Sequence, residues 1–134
     1  MTQIALIGNP NSGKTTLFND LTGTRQRVGN WPGVTVERKT GSFRHGESQV
    51  AVVDLPGTYS LETIGEAIDE HIARTFIVEQ ANEIDVLVNV VDASSLARGL
   101  YLTLELLDSG LPVVVALNMM DVADAHGLHI DAFS

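Results

Sequence analysis

Short apolar runs alternate with helix-length amphipathic stretches along this chain, the pattern of an α/β sheet whose strands run largely parallel. Residues 3–7 read as a buried first strand, residues 8–13 as a turn-rich loop, and residues 14–22 follow at helical spacing. Residues 24–32 show little periodicity and hold Gly29, Asn30 and Pro32, which predicts a mobile loop. Residues 34–43 and 49–53 read as two antiparallel strands joined by a turn at His45-Gly46. A second loop covers residues 55–65, and residues 67–80 form a helix with Ile68, Ile72 and Phe76 on one face. Residues 84–91 are a strand, 96–108 a helix and 112–117 the last of five strands; loop follows from Asn118, and a further helix begins at 130–134. In a doubly wound order residues 112–117 lie at the sheet edge, nearly all Val, Ala and Leu, with no charge to blunt pairing. That edge is expected to be covered by further chain or, through self-association, by a second copy.

Composition narrows the chemistry. The chain has 134 residues, enough for one domain, and 44% of them are hydrophobic, enough for one core. Eight basic residues against 17 acidic ones leave a net charge of −9, which repels polyanions and argues against a nucleic-acid partner. Phosphate can still be held by a local loop against the global charge. The absence of cysteine removes disulfides, thiolate metal sites and cysteine nucleophiles, and it suits a reducing compartment. The amino terminus lacks a basic lead, and apolar runs such as 111–117 are far shorter than the ~20 residues of a membrane helix, so the chain is expected to be soluble as given.

The loop Gly8-Asn9-Pro10-Asn11-Ser12-Gly13-Lys14-Thr15, followed by Thr16, satisfies G-x-x-x-x-G-K-[ST] between a strand and a helix. Gly8 and Gly13 let the backbone turn where a Cβ would clash. Successive N–H groups then form an anion nest at a helix N-terminus. Lys14 can reach between β- and γ-phosphates, and the Thr15 hydroxyl is placed for Mg²⁺.

Three weaker motifs gain meaning beside that loop. In Asn118-Met119-Met120-Asp121, a carboxylate at Asp121 can accept from guanine N1–H and the 2-amino group together, donors that adenine lacks, while Asn118 would brace the loop. Asp54-Leu55-Pro56-Gly57 has the form D-x-x-G: Asp54 would hold Mg²⁺ through a water and the Gly57 N–H would meet the γ-phosphate. Taken alone it reads rather as an ordinary strand-to-turn transition. In Gly33-Val34-Thr35-Val36-Glu37, Thr35 on a mobile loop could ligate Mg²⁺ only while triphosphate is bound, which is a switch. In isolation, Thr35 would simply start a strand. His45, His71, His126 and His129 show no ligand spacing, and Glu66, Asp69 and Glu70 read as a solvated helix start.

These residues resemble a translation-factor-type small GTPase domain. More narrowly, the whole chain resembles the amino-terminal G domain of the ferrous iron transport protein B (FeoB) family. The residues that carry the resemblance are Gly8 to Asn19, the specific run Gln26-Arg27-Val28-Gly29-Asn30-Trp31-Pro32-Gly33-Val34-Thr35-Val36-Glu37, Asp54 to Leu61, and Asn118 to Asp121. The resemblance implies a P-loop NTPase of Ras-like three-layer form with a mostly parallel sheet. It further implies that residues 1–134 are one G domain stopping before the last strand, the last helix and the fifth guanine-binding loop. A slow GTPase is implied, binding GTP and GDP with Mg²⁺ on the cytoplasmic side of the bacterial inner membrane. In the family this domain precedes a membrane iron-permease domain.

Thr58 stands where many small GTPases keep a water-orienting glutamine, and the phosphate loop has no arginine. Hydrolysis would then be poor, or the water would be held by main-chain groups of the switch, making Lys14, Asn11, Gly33 and Thr35 the expected catalytic set. The resemblance implies K⁺ as a substitute for the arginine, held by Asn11 and carbonyls around Gly29 to Trp31; the Trp31 side chain reads as packing on the sheet. Two alternatives remain at this point: a ribosome- or tRNA-associated GTPase, and a truncated nucleotide-binding module that does not cycle.

Overall fold

Ala5, Leu6 and Ile7 are fully buried in succession, and their alternation sets the layers. Ala5 and Ile7 face one core with Leu55, Phe76, Leu87, Leu102 and Leu106, whereas Leu6 faces a second with Phe18, Val50 and Val52. A strand covered on both faces reads as a continuous apolar run, which is why residues 3–7 carry no polar alternation.

The computed structural model describes residues 2–10, 12–58 and 68–118. In chain order they form β1 (Thr2–Gly8), α1 (Lys14–Thr22), β2 (Gln26–Asn30), β3 (Glu37–His45), β4 (Ser48–Asp54) and α2 (Ile68–Glu79). β5 (Val86–Asp92), a 3₁₀ turn (Ala93–Ser95), α3 (Leu96–Leu107) and β6 (Val113–Asn118) follow. The sheet runs β2-β3-β4-β1-β5-β6. Pairing is parallel from β4 through β6 and antiparallel in β2–β3 and β3–β4. The hairpin expected at His45-Gly46 forms, with His45 opposite Ser48 and Gly46 at φ 62°. β6 lies at the edge as expected, with Val114 and Val115 exposed; Leu100, Tyr101, Leu104 and Leu107 are exposed on α3. No helix among the described residues is long and apolar enough to cross a membrane.

The structure corrects several expectations. Residues 24–32 are not a mobile loop: Gln26–Asn30 is β2, making six described strands rather than five. Val28, its one large apolar residue, is exposed, so this edge strand rests on backbone pairing to β3 and leaves no hydrophobic period to read. Gly41 admits the preceding chain, because a Cβ there would lie 2.6 Å from Thr22 Cγ2 and 2.7 Å from the Arg25 carbonyl oxygen. The strand expected from Val34 begins at Glu37, since residues 31–36 form a tight loop with Trp31 N–H donating to Val36 at 2.9 Å. Ile68 is half exposed rather than on the buried face of α2, which Ala73, Phe76 and Ile77 supply. Glu66, His126, His129 and the helix expected at 130–134 lie outside the described residues.

Candidate functional site

β1 ends between the carboxyl ends of β4 and β5, where open α/β sheets gather their ligands. The two loop glycines serve different needs. A Cβ on Gly8 would lie 2.6 Å from the Val90 carbonyl oxygen and 2.9 Å from Ser12 Oγ, so Gly8 provides space. Gly13 instead provides conformation: at φ 88° and ψ 11° it is the left-handed N-cap of α1 and makes no side-chain cap. The helical ladder opens with Leu17 N–H donating to Gly13 at 3.0 Å, so the amides of Lys14, Thr15 and Thr16 precede it. The first turn of α1 holds no acidic residue, which leaves the positive end of the helix dipole to an external anion.

A cavity of about 440 Å³ opens over this turn, lined by Asn9, Pro10, Ser12, Gly13, Lys14, Thr15, Thr16, Gly57 and Asp69. Ser12 Oγ is buried beside it and has no hydrogen-bond partner among the described residues. Lys14 and Asp54, brought together from 40 residues apart, form a buried ion pair. The Thr15 side chain is exposed and lines the cavity, so its hydroxyl oxygen is open to a hard cation such as Mg²⁺.

The D-x-x-G turn is stacked on the phosphate loop. A Cβ on Gly57 would lie 3.0 Å from Pro10 Cα, Leu55 N–H donates to Leu6 at 3.0 Å, and Thr58 N–H donates to Gly8 at 2.8 Å. Leu55 and Thr58 are buried and Pro56 half-buried, so the Thr58 side chain does not face solvent. Asn118, ending β6, donates from Nδ2 to the Ser12 carbonyl at 3.2 Å.

Residues 33–37 are not brought to the cavity. Val34 and Val36 pack against the core, Gly33 sits at φ 77°, and Thr35 between them is exposed. Glu37 lies 3.6 Å from Lys39 at the surface. Trp31 is a core residue, edge-on to Phe76 at 5.7 Å with Arg38 stacked on its ring. Asn11, Met119, Met120 and Asp121 lie outside the described residues.

Sequence reasoning missed Asp69 as a cavity residue, having taken it for solvated helix surface. It is exposed in the first turn of α2 and also borders the phosphate cavity. The available signal was its position at the start of the helix that follows D-x-x-G. A second cavity of about 470 Å³, between Trp31, Arg38 and α2, contains none of the phosphate-loop residues. Among the described residues no cluster of three His, Asp or Glu side chains is placed to hold a metal.

Comparison with known proteins gives concordant results. The family model for Ferrous iron transport protein B matches residues 2–134. The Fe(2+) transporter FeoB of Salmonella typhimurium is 62% identical over 130 residues, and that of Escherichia coli K12 is 61% identical. Each alignment covers 96% of this chain, but the chain spans only 17% of the length of these relatives. Among solved structures, the G domain of T. maritima FeoB superposes with a TM-score of 0.88 at 44% identity, covering 98% of this chain and 77% of that one. An S. thermophilus NFeoB mutant bound to GDP gives 0.87 at 52%, covering 98% and 50%. The T. maritima cytosolic domain in its GMPPNP form gives 0.87 at 43%, covering 98% and 50%.

Proposed function

The chain belongs to the ferrous iron transport protein B family, and from that membership we propose that it binds and hydrolyses GTP as a cytosolic domain of a longer ferrous iron transporter at the bacterial inner membrane. Membership sets aside the ribosome- or tRNA-associated alternative and, with the net charge of −9, gives no role to nucleic acid. The observation that carries the reading is the left-handed Gly13 opening an uncapped, acid-free helix whose first residue is Lys14. Solved relatives in GDP and GMPPNP forms share this fold, in keeping with guanine nucleotides as ligands.

The residues divide the work as follows. The amides of residues 13–16 and the Lys14 ammonium hold the β- and γ-phosphates. Ser12 Oγ, without a partner among the described residues, offers a further donor at the same cavity. Entry of phosphate offers Lys14 a second anion and draws it from Asp54. Thr15 and Thr35 hydroxyls would hold Mg²⁺, with Asp54 acting through a water; the ion supplies charge neutralisation on phosphate oxygens. Thr35 is exposed and away from the cavity, so reaching it requires residues 33–37 to rearrange, and loss of γ-phosphate removes the reason to stay. Gly57, packed against Pro10 and lining the same cavity, would offer its N–H to the γ-phosphate. Attack of water on the γ-phosphate is in line, and buried Thr58 leaves its orientation to main-chain groups of Gly33 to Thr35. Asn118 supports the base loop, in which Asp121 reads guanine.

Without an arginine in the loop, K⁺ held by Asn11 and carbonyls of residues 29–31 would supply the remaining positive charge. The Trp31 carbonyl here accepts from Val34 N–H at 3.2 Å, which leaves its second lone pair for a cation. Asn11→Ala is expected to erase the advantage of K⁺ over Na⁺ in GTP turnover while GDP still binds. Equal K⁺ stimulation of parent and variant removes the potassium role, and absence of turnover in the parent leaves a binding module that does not cycle. Among the described residues β6 is an edge strand, which would suit pairing with further chain of a longer transporter, ahead of its iron-permease domain, or with a second copy.

A further inference from the structure

The second residue of the phosphate loop has a job that its motif does not specify, because Asn9 is one of the x positions. Its side-chain amide lies between two main-chain groups of opposite character. The Thr58 carbonyl oxygen, just past D-x-x-G, is 2.9 Å from one end, and the Gly99 N–H of α3 is 3.3 Å from the other. A carbonyl faces only a donor and an N–H faces only an acceptor, so the neighbours dictate the amide's orientation: nitrogen toward Thr58, oxygen toward Gly99.

Both neighbours are held from behind. Thr58 N–H donates to the Gly8 carbonyl at 2.8 Å, so residues 8 and 9 grip Thr58 through both its backbone groups. The Gly99 carbonyl accepts from Asn89 Nδ2 at 3.1 Å and from Thr103 Oγ1 at 3.0 Å, and Asn89 Nδ2 also donates to Thr103 Oγ1 at 2.6 Å. Asn89 is fully buried in the middle of β5. A Cβ on Gly99 would collide with the Val91 side chain, so the start of α3 lies against β5 at a distance only glycine permits. The result is a continuous polar chain from the D-x-x-G exit, through the phosphate loop, to the side of α3.

We propose that Asn9 is a positioning residue: it clamps the D-x-x-G exit and α3 to the phosphate loop, so that Gly57 N–H is held where the γ-phosphate must lie. This deepens the reading of the site as a GTPase and rests on it. Asn9 acts through Gly57 and Thr58, its amide bridging two protein groups.

The test compares Asn9→Ala and the isosteric Asn9→Asp with the parent, measuring GDP affinity, single-turnover GTP hydrolysis and hydrogen exchange at the Thr58 amide. For Asn9→Ala the hydrolysis rate is expected to fall about tenfold, the scale of one lost hydrogen bond at the reacting end, and by clearly more than GDP affinity falls. Exchange at Thr58 should quicken even without nucleotide. Asn9→Asp keeps the acceptor for Gly99 but turns oxygen toward the Thr58 carbonyl, so it should quicken Thr58 exchange at least as much as Asn9→Ala, although it fills the same space. Parent-like hydrolysis and exchange in both variants overturn the proposal. So does an equal fall in GDP affinity and rate for Asn9→Ala, since the side chain would then be a ligand contact. Parent-like exchange in Asn9→Asp with faster exchange in Asn9→Ala reduces Asn9 to a space filler and also overturns it. If the parent itself fails to bind GTP, the GTPase reading falls, while exchange at Thr58 still decides whether the clamp exists.

Discussion

Lys14→Ala is expected to weaken GTP binding by more than about 100-fold, or roughly 3 kcal/mol, because it removes a charge-assisted contact to two phosphates in a partly enclosed site. Calorimetry checks this directly, and unchanged affinity would refute the phosphate-loop assignment. The variant carries a second effect that must be separated from the first. Lys14 is the partner of a carboxylate that is 7% exposed, so truncation leaves Asp54 buried without its cation. Breaking such a pair costs about 3–5 kcal/mol, which lowers the melting temperature. The double variant Lys14→Ala/Asp54→Asn removes the stranded charge. It should regain part of the lost stability and none of the lost affinity; recovery of both together would mean that Lys14 acts on folding rather than on the ligand.

Asp121→Asn should exchange guanine for xanthine preference. The carboxylate accepts two donors from guanine, whereas an amide both donates and accepts, matching the 2-oxo group and N1–H of xanthine. Leaving guanine's donors mismatched costs about 1–3 kcal/mol or more, so GTP affinity should fall at least about tenfold while the xanthosine triphosphate rises. Competition between the two nucleotides reads this in one experiment. Undiminished preference for GTP would take base recognition away from Asp121.

Much of the scaffold was legible because burial writes itself into residue order. The apolar run at residues 3–7 needs two covered faces, and the helix at Lys14–Thr22 begins where Gly13 sets a left-handed cap. Most loop residues of the candidate site follow from one motif, since G-x-x-x-x-G-K-[ST] states where space, twist and charge are needed. β2 was illegible for the converse reason. Val28 is exposed and the strand is held by backbone pairing to β3 and by Gln26 side-chain bonds to α1, none of which leaves a hydrophobic period. Thr35 could be named from its motif, but its exposed placement follows from Val34 and Val36 anchoring in the core on either side, a packing fact with no local signature. Asn9 and Asp69 were harder still. Their partners or neighbours lie on α2, α3 and the D-x-x-G turn, and only the closed sheet brings those segments together.

Titration of the parent chain with a non-hydrolysable GTP analogue and its ATP counterpart, in Mg²⁺ and K⁺, tests the central claim most directly. One site should take the GTP analogue at least about 100-fold more tightly than the ATP analogue, the margin expected of a site built around guanine's donors. Heats that are absent for both, or equal for both, would contradict the assignment of this loop and its neighbours as a guanine-nucleotide site.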